Sequence, residues 1–274
     1  MKPPTTPRRL PFIIAATATL VVAAVAGAIA LDQADGGTPT GVATATASAT
    51  ASASASATAT PTATAPVTPI AAVAVAGTPC SSATFGADLS ALNAPSNVHV
   101  YSTEPAMTID TSELYQVVLD TDRGDITLCL EPSLAPDTVN VIVTLVRNGY
   151  YNGIPFHRVC PDTADSSCGG SLDIAQVGDP NCIGNIHAST CGQGGPGFTF
   201  DDETVKGSYT TGSVAMANSG ANTNGSQFFI CTGDDSSILA KSYNLFGVVS
   251  SGLNVAQALQ EGDVINTATV QEQS

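Results

Sequence analysis

The stretch LYQVVLDTDRGDITLCL, Leu114–Leu130, holds two runs of alternating apolar and polar residues on either side of a short polar centre at Thr121 to Gly124. Alternation with a period of two is the mark of a strand with one buried face, so the stretch predicts a β-hairpin. Further strand-like runs follow at Phe156 to Val159, Ile174 to Gly178, Ser213 to Ala217, Gln227 to Cys231, Leu245 to Val249 and Val264 to Val270. Helical spacing occurs twice. In APDTVNVIVTLVRNG it places Val139, Ile142, Val143 and Val146 on one face, with Asp137 or Thr138 as N-terminal acceptor and Gly149 as the stop; in LNVAQALQEG it aligns Leu253, Ala256 and Leu259 ahead of Gly262. Many short strands with two helices predict a mainly β domain, a closed antiparallel barrel with its ends capped by the helices, because closure removes exposed strand edges.

Outside this region the chain changes character. Of 274 residues only 11% are charged, and the formal net charge is −15. All 23 acids follow residue 31, where only five bases remain, Arg123, Arg147, Arg158, Lys206 and Lys241. That balance, a net −18, repels phosphate backbones and argues against nucleic acid as a partner.

Residues 1–9 are basic, and residues 10–31, LPFIIAATATLVVAAVAGAIAL, run 22 positions without a charge. At about 1.5 Å per helical residue such a segment reaches across a bilayer core of about 30 Å. The bases Lys2, Arg8 and Arg9 before it, with none after it until Arg123, place the N-terminus in the cytoplasm and the remainder outside. An uncleaved single-pass anchor is the expectation; the alternative is a cleaved secretory signal with Ala28 and Ala30 at the cleavage site, and both export the domain. Residues 32–69 consist almost wholly of Ala, Thr, Ser, Pro and Gly, too few large apolar groups to offset the entropy of ordering, and are expected to form a disordered stalk. Residues 70–111, with Pro79, Pro95 and Pro105, are a transitional segment with no assignable element, and residues 112–274 are the folded domain.

Within the domain, GYYNGIPFHRV puts Arg158 beside Phe156 and His157 at a strand end. A lone Arg on a strand is ordinarily a solvated surface residue. Here bases are scarce, and the same order of motifs continues through QVGDP, GGPGFTFDDE, GSVAMAN, NTNGSQFFI and LFGVV. From about Ser112 to Val270 the chain resembles the cyclophilins, a family of peptidyl-prolyl cis-trans isomerases. The resemblance implies an eight-stranded barrel with a peptide groove on its outer face, acting on Pro-containing polypeptides without cofactor or metal, as a monomeric catalytic domain. Carried over by motif, Arg158 matches the catalytic Arg, Gln176 a groove Gln, and Ala217 and Asn218 the backbone clamp, with Gln176 and Asn218 grouped with Arg158 as catalytic. Gln227 matches a second groove Gln, Phe229 the floor of the proline pocket and Leu239 its wall; Phe156, Ile174, Ile238 and Tyr243 complete the substrate-binding set.

Those residue types suit the chemistry. Rotation about an X–Pro bond meets a barrier of about 20 kcal/mol from amide resonance. Lowering it requires an apolar socket for the pyrrolidine ring, a grip on the flanking backbone, and a donor aimed at the proline nitrogen, whose lone pair gains basicity as the bond twists. A guanidinium stays charged and presents a planar fork. Other positions depart from the family pattern: Asp173 stands where Phe is frequent, Ile174 where Met is usual, Ile238 where Trp is common and Tyr243 where His is common. Loss of the Trp donor implies weaker binding of cyclosporin-type inhibitors. The rival readings are a non-catalytic Pro-peptide-binding or chaperone module using the same groove, and a structural or adhesive surface domain on a long stalk.

Seven cysteines in an exported chain imply disulfides. Cys129 and Cys231 read as buried, inert thiols in strands, and Cys80 has no evident partner. Cys160, Cys168, Cys182 and Cys191 lie in a loop-rich stretch; four cysteines allow three connectivities, and local pairing, Cys160 with Cys168 and Cys182 with Cys191, is the first expectation. A metal site from Cys182, His187 and Cys191 is the alternative, but the spacing fits no strong zinc signature.

Overall fold

The computed structural model describes residues 68–160, Cys168 and residues 172–274. The basic N-terminus, the apolar segment 10–31 and all but the end of the stalk lie outside them. Among the described residues no helix is long and apolar enough to cross a membrane.

The hairpin is present. Strand β2 (Tyr115–Thr121) pairs antiparallel with β3 (Gly124–Leu130) from Tyr115↔Leu130 to Thr121↔Gly124, which leaves Asp122 and Arg123 as a two-residue loop. Tyr115, Val117 and Leu119 of one strand and Ile126, Leu128 and Leu130 of the other face inward together. Gly124 closes the turn with φ of 124°, a value that side-chain-bearing residues rarely adopt.

The remaining strands are β1 (Phe85–Asp88), β4 (Arg158–Val159), β5 (Ile174–Val177), β6 (Ser213–Met216), β7 (Phe228–Cys231), β8 (Leu245–Ser251) and β9 (Ile265–Gln273). They form one antiparallel sheet in the order β1-β9-β2-β3-β8-β6-β7-β5-β4. The expected closed eight-stranded barrel is therefore corrected to a nine-stranded sheet whose end strands, β1 and β4, are not paired in a ladder. The physical reason lies ahead of β4. Pro155 has no N–H to give, β4 is only two residues long, and the chain before it reaches the start of β9 through one isolated bridge, Pro155↔Val264, and a few backbone bonds such as Phe156 N–H to Asp263 C=O at 2.8 Å.

Helix α1 (Pro136–Arg147) packs against β9 and is buried from Thr138 to Val146. Its N-terminus is capped from another part of the chain. The Glu203 carboxylate accepts from the N–H of Asp137 at 3.1 Å and of Thr138 at 2.9 Å, so neither Asp137 nor Thr138 is the acceptor expected. Gly149, with φ of 77°, ends the helix. Helix α2 (Leu253–Ala256) is a single turn, shorter than the pattern in 253–262 suggested.

Residues 70–111 are a strap laid over the domain. The Ile70 N–H donates to Arg123 C=O, Ala74 bridges to Ser251, and β1 pairs with β9 through Phe85↔Gln273 and Asp88↔Gln271. A disulfide joins Cys80 to Cys129 of β3, which corrects both the unpartnered Cys80 and the inert thiol expected at Cys129. Past β1, the Asn148 side chain exchanges hydrogen bonds with the backbone of Leu92, and Asn140 accepts from the N–H of Thr108. These contacts explain the burial of polar Asn140 in α1 and of Asn148 just after it.

Two apolar clusters result. The larger lies on one face of the sheet and includes the buried side chains of α1. The smaller lies on the opposite face of β5, β6 and β7 and comprises Ile174, Tyr209, Ala215, Phe229, Cys231 and Leu245 with Cys160 and Cys168, flanked by Leu172, Ala217, Leu239 and Tyr243.

Candidate active site

Strand alternation sorts the side chains of β5, β6 and β7 between these clusters. Ala175, Val177, Val214, Met216, Phe228 and Ile230 go to the main core, and Ile174, Ala215 and Phe229 to the outer cluster. Register then builds a row across four strands: Arg158 is opposite Gln176, Gln176 opposite Phe229, and Phe229 opposite Ala215.

The polar half of the row is hydrogen-bonded end to end. Arg158 Nη1 donates to Gln176 Oε1 at 3.3 Å, Gln176 Nε2 donates to Gln227 Oε1 at 2.9 Å, and Gln227 Nε2 donates to Gly194 C=O at 2.8 Å. Each amide is thus fixed in orientation by the next. The last link rests on Asp179, a fully buried carboxylate that accepts from the N–H groups of Asn181, Gly192 and Gly194 at 2.6–2.8 Å. Three backbone donors satisfy an anion well away from water and hold the 191–195 turn beside Gln227.

The apolar half forms a shallow socket. Phe229 meets Tyr243 edge-on at 5.7 Å between centroids and lies 6.3 Å from Tyr209. The Tyr209 hydroxyl donates to Tyr243 C=O at 2.8 Å and lies 3.0 Å from its N–H, which fixes the rim. Ile174, Ala217 and Leu239 line the socket, and Ile238, the chain neighbour of Leu239, is 47% exposed. The loop carrying Ile238 and Leu239 is tied down by buried Asp235, whose C=O accepts from the N–H groups of both residues at 2.9 Å.

Beyond Ala217 and Gln227 the surface sinks into a cavity of about 750 Å³ lined by Gln176, residues 192–199, Ala217 to Ser219, Thr223 and residues 225–227. Socket, polar row and cavity together make one continuous groove. It offers a seat for a ring, side-chain amides beside it, and room for flanking chain.

Phe156 is placed elsewhere than expected. It is fully buried in the main core and takes no part in the groove, because it precedes the two-residue strand β4 and its backbone is bonded instead to Gly262 and Asp263. The Asn218 side chain is engaged in structure, donating to Ser242 C=O at 2.8 Å, so the Asn218 side chain ties two groove segments together. Leu172 and Tyr209 belong to the socket although neither was foreseen. Tyr209 sits in a polar GSYTTGS context without alternation, and Leu172 is the neighbour of the Asp173 that had drawn attention as a departure.

Cys160 is bonded to Cys168 and Cys182 to Cys191, the local pairing set out above, and Cys231 is a free, buried thiol. Of the histidines, His157 rather than His187 stands at the Cys182–Cys191 pair, with the three potential ligand atoms within 4.8 Å of one another. The two sulfurs are bonded to each other and are not available as thiolate ligands. Burial holds the His157 imidazole below its ordinary pKa, against the opposing field of Asp179.

The family model described as cyclophilin type peptidyl-prolyl cis-trans isomerase/CLD matches residues 116–273. A protein of Staphylococcus aureus (strain USA300) named "Putative peptidyl-prolyl cis-trans isomerase" is 43% identical over 116 residues, 42% of this chain and 51% of its own length. The protein of the same name from Staphylococcus saprophyticus subsp. saprophyticus is 40% identical over the same share. The chain spans about half the length of the curated relatives it matches. Among solved structures, a cyclophilin type peptidyl-prolyl cis-trans isomerase of Cryptosporidium parvum is 28% identical with a TM-score of 0.47, over 57% of this chain and 97% of that one.

Proposed function

Because the chain belongs to the cyclophilin-type peptidyl-prolyl cis-trans isomerases, we propose that it accelerates rotation of X–Pro bonds in polypeptides through the groove around Phe229. The observation that carries this reading is the single row in which Arg158 and Phe229 both pair with Gln176. A proline ring seated on Phe229 brings its nitrogen under the guanidinium. As the amide twists, conjugation is lost and the nitrogen lone pair becomes an acceptor, so the Arg158 donor binds the transition state more strongly than the planar ground state. Gln176 and Gln227 hold the flanking peptide, and the cavity past Ala217 receives the rest of the chain. No covalent intermediate is needed, and the barrier addressed is the resonance barrier itself.

The N-terminal charge and hydropathy pattern supports a cellular setting for this activity: a domain tethered at the outer face of a membrane, meeting newly exported proteins whose proline bonds isomerise slowly on their own.

A protease-coupled isomerisation assay on the folded domain, wild type against Arg158→Ala, tests the proposal. Removing one donor aimed at the reacting atom should lower kcat/KM by about 10²–10³ with the fold intact. No turnover above background in the wild type refutes the enzyme reading, and peptide binding without turnover replaces it with a Pro-peptide-binding module.

A further inference from the structure

We propose that the strap preceding the family domain is part of the groove, and that Tyr101 is a positioning residue for it; this rests on the groove being the peptide site. Tyr101 lies outside the residues matched by the family model, which begin at 116. Yet it grips the wall of the cavity from behind.

The Tyr101 N–H donates to Pro196 C=O at 2.7 Å. Its ring meets Phe198 edge-on at 6.1 Å between centroids. Between these two residues Gly197, with φ of 97°, lies so close to the Tyr101 carbonyl oxygen that a Cβ there would collide with it. Three consecutive residues of the cavity wall, Pro196, Gly197 and Phe198, are therefore moulded on one residue of the strap.

Tyr101 is itself held. Its hydroxyl accepts from Asn148 Nδ2 at 3.2 Å, and the same amide bonds Leu92 C=O, so the strap is fastened to the end of α1 on both sides of the turn. The neighbouring His99 ring packs edge-on against Tyr150 at 5.3 Å. The Tyr150 hydroxyl lies 2.7 Å from Ser226 Oγ, next to Gln227 and on the floor of the groove. The strap thus braces the wall through Tyr101 and the floor through His99.

Segment 192–199 contains four glycines, and its one large apolar side chain, Phe198, is only partly buried against the main core. Glycine-rich chain with little buried apolar surface has a large conformational freedom to lose when a peptide binds. A wall ordered in advance by Tyr101 spares the bound peptide that loss, which is felt in binding rather than in the bond-rotation step.

The experiment compares wild type, Tyr101→Ala and Tyr101→Phe on a proline hexapeptide and on a dipeptide-derived substrate too short to reach the cavity, with amide hydrogen exchange followed across residues 192–199. Tyr101→Ala should raise exchange in that segment and raise KM for the hexapeptide about five- to tenfold, with kcat within about twofold and the short substrate unaffected. Tyr101→Phe, which keeps the ring against Phe198 and loses only the bond from Asn148, should fall between wild type and Tyr101→Ala. Unchanged exchange or unchanged hexapeptide KM in Tyr101→Ala overturns the proposal, as does an equal loss on both substrates. Should Tyr101→Ala fail to fold, Tyr101→Leu is read by the same criteria. Absence of turnover in the wild type sinks the isomerase reading alone; the Tyr101 proposal is then decided by hexapeptide Kd from NMR titration, where the same weakening is expected, and absence of wild-type binding refutes both.

Discussion

Arg158 and Phe229 stand two strands apart in one row of the sheet, each in register with Gln176. Strand spacing of about 4.8 Å fixes their Cα atoms about 10 Å apart, a distance set by backbone hydrogen bonds rather than by a loop. Donor and socket therefore keep their separation while the loops at the rim vary.

The two phenylalanines of β7 should separate binding from stability. Phe228 lies in the main core, and Phe228→Ala should cost about 3–5 kcal/mol in chemical denaturation. Phe229→Ala removes the base of the outer socket and should raise KM or abolish turnover, with the smaller loss of stability. The reverse ranking would show that the socket has been assigned to the wrong face.

The Cys80–Cys129 disulfide closes a loop with a sequence separation of 49. Chain entropy assigns such a crosslink about 4 kcal/mol. The double variant Cys80→Ala/Cys129→Ala should show that order of loss in urea unfolding, together with faster amide exchange in β1. A loss below about 1 kcal/mol would mean that hydrogen bonds alone hold the strap.

His157 gives the domain a pH dependence. Burial favours the neutral ring in the folded state, so its folded pKa lies below the unfolded value of about 6.5. The stability that follows is complete above the unfolded pKa and is lost as pH falls through the folded one. Tm should decline from pH 7.5 toward pH 5 more steeply in the wild type than in His157→Gln. Parallel curves for the two proteins would remove His157 as the cause.

Ile238 is exposed beside Leu239 of the socket, and its side chain lacks the N–H donor of the Trp that the family resemblance implies as common there. Cyclosporin-type inhibitors should bind weakly, and Ile238→Trp should strengthen them by about tenfold, the worth of one added hydrogen bond to a neutral group. Nanomolar inhibition of the wild type in a titration would refute this.

The parts legible in the sequence are those written in local periodicity. Alternation places the β2–β3 hairpin and sends Phe228 and Phe229 to opposite faces, because a strand's side-chain period depends on nothing distant. The same rule fails at Phe156, which alternation would put on the face of Arg158 but which precedes β4 and is buried in the main core. What escapes is the non-local. The cap of α1 comes from Glu203, the partner of Cys80 is Cys129, and β1 is a mostly exposed edge strand with no alternation to betray it. Tyr209 enters the socket from a polar loop for the same reason.

The strap has a consequence for the order in which the molecule can assemble. Its residues leave the ribosome before the rest of the domain, yet their partners are among the last to be made: Ser251, Asn254 and the β9 residues Gln271 and Gln273. Contacts that join distant parts of a chain form slowly. During vectorial emergence, Tyr101 can meet Asn148 and residues 196–198 once these are made, whereas the leading part of the strap, through Ala74 and β1, has no complete edge to dock on until β9 has appeared. A half-made domain would thus have its cavity wall within reach of Tyr101 while the leading part of the strap was still unfastened.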